Sequence, residues 1–174
     1  MKSEVRRPQS AVLAFVALGS NLGDSPRLLR EAMVRLQEFS DQPVLKSSLW
    51  HTAPVDCPPG APDFLNAVVA IAPDPDETPE RLLAKLRALE TEFGRAPRKA
   101  LNEPRPLDLD LIVFGHETRA SRALTLPHPR AHVRRFVLAP LAEIAPGLIL
   151  PGQSQPVTAL LAALPPADCR RIED

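Results

Sequence analysis

Continuous apolar stretches alternate along the chain with stretches in which apolar residues recur every three to four positions. The continuous stretches are typical of buried strands and cover 11–18, 64–71 and 107–114. The helical spacing begins after Ser25, read as an N-cap before Pro26, and again after Thr78. A hydroxyl residue followed by proline favours a helix start, because the hydroxyl caps a free backbone N–H and proline needs none. The pattern predicts strands interleaved with two amphipathic helices.

Weaker patterns predict the remaining elements. They are a strand over 43–50, a proline-rich loop over 52–62, a short strand over 123–126, one or two helical segments within 127–146 broken by Pro140, a strand over 148–150 and a helix over 156–164. The two strands that flank the proline-rich loop are expected to pair antiparallel. The element order predicts an α+β fold, with helices packed on one face of a largely antiparallel sheet. We expect a flexible tail over 1–10 and a single domain over 11–174.

Composition narrows the classes of function. The 174 residues, 44% hydrophobic, suffice for one domain with a buried core. Because 21 basic residues balance 21 acidic ones, a protein that binds nucleic acid over its whole surface is excluded. No apolar run approaches the ~18 residues of a membrane span. Cys57 and Cys169 form no metal or disulfide pattern, and Glu4 and Pro8 disfavour a signal peptide. We therefore expect a cytoplasmic protein.

Charge is unevenly distributed, and the uneven segment contains the strongest candidate chemistry. Residues 95–135 contain nine basic and four acidic side chains. Asp108 and Asp110 lie two apart in a predicted strand, so both carboxylates point to the same face. Such a pair repels unless a cation separates it, and hard oxygen ligands favour Mg²⁺. The alternative is a solvated edge with two acids. The flanking arginines, which suit phosphate oxygens, favour phosphoryl transfer over a merely solvated basic loop.

Three further signals are less specific. Asn66 lies within an apolar strand, where it is either a core amide or a group that recognises a flat heterocycle. Phe64 and Phe136 could stack on such a ring, although core packing is the default for phenylalanine. His128 and His132 have zinc-compatible spacing but no further soft ligand. The glycines at 19 and 23 fit no phosphate-loop motif and indicate a turn that borders a site.

Six stretches together resemble one family. They read A-L-G-S-N-L-G-D at 17–24, P-D-F-L-N-A-V-V at 62–69, L-E-T-E-F-G-R at 89–95, R-P-L-D-L-D-L-I-V-F-G at 105–115, L-P-H-P-R at 126–130 and R-R-F-V-L-A-P-L-A-E-I-A-P at 134–146. In this order they resemble the 6-hydroxymethyl-7,8-dihydropterin pyrophosphokinases of folate biosynthesis. The resemblance implies a ferredoxin-like α+β fold. It also implies transfer of pyrophosphate from ATP to the pterin hydroxymethyl group, with AMP released.

The resemblance also implies roles for individual residues. Two Mg²⁺ ions would be held by Asp108 and Asp110, and Asp110 would help to deprotonate the substrate hydroxyl. The phosphates of ATP would be clamped by Arg95 and Arg105. Further nucleotide contacts would come from Glu90, Arg98, Leu111, Thr125, His128 and Arg134. The pterin pocket would comprise Thr52, Pro54, Val55, Phe64, Asn66 and Phe136. Partners would be these two small molecules, and other folate-pathway enzymes, rather than nucleic acid or membrane.

The basic loop departs from the family pattern. The family's W-G-P-R is represented by Asn102-Glu103-Pro104-Arg105, and its G-R-x-R by Gly94-Arg95-Ala96-Pro97-Arg98. A lid that closes more slowly or loosely would follow. Two alternatives to the leading hypothesis stay open at this point. One is transfer to a modified pterin or another heterocyclic alcohol, and the other is a non-catalytic module that binds nucleotide or pterin.

Overall fold

The structure, a computed structural model, describes residues 12–97 and 103–172. The predicted tail over 1–10 and the loop residue Arg98 lie outside the described residues. The described part contains, in chain order, β1 (Ala14–Ser20), α1 (Ser25–Leu36), β2 (Leu45–Lys46), β3 (Trp50–Thr52), β4 (Phe64–Ile71), α2 (Pro79–Glu92), β5 (Asp108–Phe114), β6 (Arg119–Ala120), β7 (Thr125–Leu126), α3 (Arg135–Ile144), α4 (Val157–Ala163) and β8 (Cys169–Arg171).

One antiparallel sheet organises the described residues. Its strands lie in the order β5-β1-β4-β3-β8, and β2 pairs with the far end of β4. The two central strands, β1 and β4, pair over the whole length of β1, from Ala14 opposite Ile71 to Ser20 opposite Leu65. The helices α1 and α2 each connect strands that are separated in the sheet by one antiparallel strand. This is the split β-α-β arrangement of the ferredoxin-like fold, so the predicted fold class is confirmed.

Helices cover both faces of the sheet, so the expectation that they pack on one face is wrong. Val16 and Leu18 of β1 point toward α1 and α2, whereas Phe15 and Ala17 point toward α3 and α4. Every second residue of a strand faces the same way. Apolar residues on both parities, as in β4, therefore form two cores. That near-continuous apolar pattern indicates a strand buried on both faces.

Element boundaries differ from the sequence predictions in several places. α1 begins one residue early, because Asp24 rather than Ser25 is the N-cap and accepts a hydrogen bond from the Arg27 amide. The strand expected over 43–50 is replaced by two short strands, β2 and β3. α3 runs through Pro140, which is buried and does not break it. The strand expected over 148–150 is a single bridge at Ile149.

Candidate active site

Side chains from four adjacent strands line one cavity on the sheet face that α3 partly covers. Strand register places Asp108, Gly19, Asn66 and Trp50 in one row across β5, β1, β4 and β3. Asp110 and Ala17 oppose each other in the neighbouring row. Because β1 contributes only alanine and glycine to this face near its end, the floor between the aspartates and Asn66 stays open. The cavity is closed on its other side by Arg134, Phe136 and Val137.

A helix end brings Arg95 to the acid pair. Gly94 has a φ of 87°, which glycine adopts without steric cost. This left-handed residue ends α2 with amide bonds from Gly94 to the Thr91 carbonyl and from Arg95 to the Glu90 carbonyl, which is a Schellman motif. The turn carries the Arg95 side chain back over α2. Its Nη1 lies 2.7 Å from Asp108 Oδ1 and also donates to Glu90 Oε1.

Burial and like charge control ionisation in this cluster. Burial, followed by the negative charge of Asp108, raises the pKa of Asp110 to about 6. Burial likewise raises the pKa of Glu90 to about 7, although Glu90 accepts hydrogen bonds from Arg95 and from the Leu109 amide at 2.7 Å. Because Asp108 and Asp110 repel each other, this pair favours an additional cation beside it. No cluster of three or more His, Cys, Asp and Glu suited to a metal is found in the described residues.

The other end of the cavity is suited to a flat polar ring. The Asn66 amide donates to Thr52 Oγ1 at 2.7 Å. That bond fixes the amide so that its Oδ1 lies beside Gly19, where a Cβ would be only 3.3 Å away. The side-chain oxygen of Asn66 is thereby directed to the open floor of the cavity. Phe64 and Phe136 also line this cavity. An acceptor in the same cavity as aromatic rings can recognise the N–H edge of a heterocycle whose faces the rings contact.

Two arginines lie against the aromatic rings and connect both ends of the cavity. The Arg105 guanidinium is 6.0 Å from the centre of the Phe64 ring, and that of Arg134 is 5.3 Å from the Phe136 ring. Arg105 Nη1 is also 3.6 Å from Asp108 Oδ2. Both arginines and the acid pair line the same cavity. Groups that suit phosphate oxygens thus lie beside the ring site.

Residues 15–146 match the family model described as 7,8-dihydro-6-hydroxymethylpterin-pyrophosphokinase, HPPK. The chain belongs to the HPPK family. It is 36% identical over 150 residues to the 2-amino-4-hydroxy-6-hydroxymethyldihydropteridine pyrophosphokinase of Haemophilus influenzae, covering 86% of this chain and 91% of that protein. The Bacillus subtilis protein of the same name is 41% identical over 133 residues, which cover 76% of this chain and 77% of the relative.

Solved structures show the HPPK fold in longer chains. The wild-type HPPK-DHPS of Plasmodium falciparum with pteroate matches 90% of this chain with a TM-score of 0.68 at 11% identity. An HPPK-DHPS in complex with substrates matches 88% of this chain with a TM-score of 0.69 at 10% identity. This chain spans only 45% and 43% of those two chains. At such identity the likeness shows the fold alone.

The structure gathers most of the site residues that were predicted from the HPPK resemblance. The cavity is lined by Thr52, Val55, Phe64, Asn66, Arg105, Asp108, Asp110, Arg134 and Phe136. Arg95 and Glu90 lie behind Asp108 rather than in the lining. The other predicted residues that the structure describes are not among those that line the cavity: Pro54, Leu111, Thr125 and His128. Leu111 is buried in the core on the opposite face, Thr125 is exposed, and His128 is half-buried and accepts from the Arg130 amide.

Other residues line the cavity that sequence reasoning did not select for the HPPK site. They include Ala17, Gly19, Asp56, Cys57, Arg130 and Val137. Ala17 and Gly19 could have been found from the sequence, because on β1 they alternate with the large Val16 and Leu18. Small side chains along one face of a strand leave space for another element or a ligand. No sequence signal pointed to Asp56, which has a φ of 53°, or to Cys57, which belongs to no metal or disulfide pattern. Their places depend on the path of the proline-rich loop.

Proposed function

We propose that this chain transfers the pyrophosphoryl group of ATP to the hydroxymethyl group of 6-hydroxymethyl-7,8-dihydropterin and releases AMP. One observation carries the proposal. A single cavity is lined both by an acid pair with arginines and by an amide together with two phenylalanines. The first set suits a metal-bound polyphosphate and the second suits a pterin ring. The relatives of the same family are named for this pyrophosphokinase activity.

The pterin end orients the acceptor. Asn66 Oδ1 would accept from the N–H edge of the ring, since the bond from the Asn66 amide nitrogen to Thr52 fixes the orientation of the amide. Phe64 and Phe136 would contact the ring faces, and Thr52 and Val55 of the proline-rich loop would lie beside it. The assignment of Pro54 to this pocket stays a prediction. Holding the ring in this way would direct its hydroxymethyl group toward Asp108 and Asp110. Such orientation converts an encounter of two molecules into a reaction within one complex.

The phosphate end supplies positive charge. Arg105 and Arg134 line the cavity, and Arg95 adjoins it through Asp108. We propose that these three guanidinium groups bind the phosphate oxygens of ATP and neutralise charge that develops during transfer. The assignment of further nucleotide contacts to Glu90, Arg98, Leu111, Thr125 and His128 stays a prediction.

The acid pair fits a metal site. Asp108 and Asp110 are hard oxygen donors on one strand face, and burial together with the negative charge of Asp108 raises the pKa of Asp110, so a further cation beside the pair would be favoured. We propose that they hold two Mg²⁺ ions, with the remaining ligands from phosphate and water. When bound, Mg²⁺ would polarise the phosphate oxygens and neutralise their charge. To Asp110 we assign uptake of the substrate hydroxyl proton.

Further proposals concern the organisation of the chain. We propose one pyrophosphokinase domain over residues 11–174. No helix in residues 12–97 and 103–172 is both long and apolar enough to cross a membrane. Both cysteines are free thiols, which is compatible with the reducing cytoplasm that we propose as the location.

We also propose that other folate-pathway enzymes are partners of this protein and that nucleic acid is not. HPPK is joined to DHPS in the solved chains that share this fold.

Paired variants test the assignment of the acids. Asp108→Asn and Asp110→Asn should each remove at least about 99% of the ATP-to-AMP turnover, since a ligand and its charge are lost. Both should keep the melting temperature of the wild type within a few degrees. Asp41→Asn, at an exposed position outside the cavity, is the matched control and should retain full turnover. Near-wild-type turnover in both site variants would contradict the proposal.

A further inference from the structure

We propose that Asn21 is a positioning residue of the proposed pyrophosphokinase. It holds the end of the basic loop, at Arg105, and the end of the proline-rich loop, at Pro62, in a fixed position relative to each other. Nothing in the sequence motifs marked Asn21 as more than part of a turn. It lies directly after β1, whose last residues oppose Asp108 on one side and Asn66 on the other. Asn21 is therefore placed between two segments. One leads from Pro62 into β4, and the other leads into β5 at Asp108.

The contacts of Asn21 reach both segments. Its Oδ1 accepts from the Arg105 amide at 2.9 Å, and its own backbone amide donates to the Arg105 carbonyl at 3.2 Å. Its Nδ2 donates to the Pro62 carbonyl at 3.4 Å. One side chain thus joins the end of the basic loop to the end of the proline-rich loop.

Burial gives these contacts weight. Asn21 is only 5% exposed, so its amide has little water available to replace a lost partner. A buried donor or acceptor that loses its partner costs more than a solvated one. Truncating Asn21 would therefore leave the Arg105 amide without its acceptor. The loop segments would relax to regain partners, and the side chains that they carry would move with them.

The two segments carry side chains that meet in the cavity. Arg105 is itself the residue held by Asn21, and Phe64 follows Pro62 by two positions. The guanidinium of Arg105 lies 6.0 Å from the centre of the Phe64 ring. If the proposed function holds, Arg105 faces the phosphates and Phe64 faces the pterin. Asn21 touches neither substrate, but it sets the distance between the groups that bind them.

Equilibrium binding of each ligand tests this role. In Asn21→Ala we expect binding of a non-hydrolysable ATP analogue with Mg²⁺, and of the pterin, to weaken by about tenfold each, the equivalent of one lost hydrogen bond. On an Arg105→Ala background the effect of Asn21→Ala on the analogue should disappear, because Asn21 acts through Arg105. Its effect on the pterin should remain. Ser25→Ala is the matched control, since it removes the Ser20–Ser25 bond of the same turn without touching either loop.

The outcomes separate this inference from the proposed function. Weakened binding of only one ligand, or an effect on the analogue that persists on the Arg105→Ala background, would overturn the role of Asn21. Failure of the wild type to bind either ligand would overturn the proposed function and this inference with it. Amide hydrogen exchange of the wild type provides a test that needs no substitution. The pterin alone should slow exchange of the Arg105 amide, and an unchanged rate would contradict the coupling.

Discussion

Arg95 and Asp108 form an ion pair at 2.7 Å between the end of α2 and the start of β5. The same guanidinium nitrogen also contacts Glu90, so one cation separates two acids in the ligand-free protein. In this state Arg95 partly neutralises Asp108, which is one of the two acids that the proposed metal would use. The pair connects the stability of the free protein to the chemistry of the site.

Removing Arg95 should therefore destabilise the protein as well as inactivate it. Arg95→Ala leaves Glu90, which is 6% exposed, without its cation. We expect a loss of about 2 kcal/mol in the free energy of unfolding, below the range for fully buried pairs because Arg95 is partly exposed. Urea denaturation measures it. The double variant Glu90→Gln/Arg95→Ala should regain part of the loss, and strictly additive effects would contradict the coupling.

The pH dependence of stability should carry the signature of Glu90. Its pKa is raised by burial from 4.5 to about 7 in the folded protein. Because the folded state then binds the proton more tightly than the unfolded state, stability from this group is full below pH 4.5 and is lost as the pH rises toward 7. Metal-free Glu90→Gln should show a shallower decline over that interval in thermal unfolding. Parallel curves for wild type and variant would contradict the raised pKa.

Gly19 should be required for an open pterin site. A methyl group there would lie 3.3 Å from Asn66 Oδ1 and 3.8 Å from the Phe64 ring. We expect Gly19→Ala to weaken pterin binding by at least about tenfold while changing the affinity for the ATP analogue much less. Isothermal titration measures both. Gly147→Ala is the matched control, because a Cβ at that position meets no atom within 4 Å. Equal loss for both ligands would indicate general distortion instead.

Glu143 should anchor α3 to the sheet. Its carboxylate accepts from the Ser48 amide at 3.0 Å, the Ser48 hydroxyl at 2.6 Å and Trp50 Nε1 at 3.1 Å. Burial opposes ionisation, but these bonds outweigh it and lower the pKa of Glu143. The stabilisation is therefore present at neutral pH and is lost as the pH falls through that lowered pKa.

Fluorescence reports on this anchor, because Trp50 is the only tryptophan of the chain. Glu143→Ala should shift the Trp50 emission to longer wavelength and reduce the free energy of unfolding by about 1 kcal/mol at pH 7. Glu38→Ala, which removes an exposed acid paired with Arg35, should change neither the emission nor, beyond about 0.5 kcal/mol, the stability. An unchanged spectrum in the Glu143 variant would contradict the anchor.

The sequence predicted the fold where periodicity was strong and failed where tertiary packing decided. β4 and α2 begin where predicted, because a continuous apolar run and a capped amphipathic pattern are local signals. Pro140 was expected to break α3, but the helix packs against β4 and β3 and continues through it. The strand β8 was missed because Cys169–Arg171 has no apolar pattern and is defined only by pairing with β3.

The site shows the same division. Asp108, Asp110 and Asn66 were predictable because strand parity fixes their face. Their neighbours Asp56 and Arg130 come from loops, and loop paths are not encoded in periodicity. The contact of Asn21 with Arg105 joins residues that are far apart in sequence, so only the folded chain could reveal it.

The nucleotide product tests the central proposal most directly. The purified chain is incubated with Mg²⁺, ATP and 6-hydroxymethyl-7,8-dihydropterin, and the products are resolved by phosphorus NMR and mass spectrometry. Transfer of a pyrophosphoryl group predicts AMP and the pterin diphosphate in equal amounts, with no ADP. Formation of ADP with a pterin monophosphate, or ligand binding without any AMP, would contradict the proposed function.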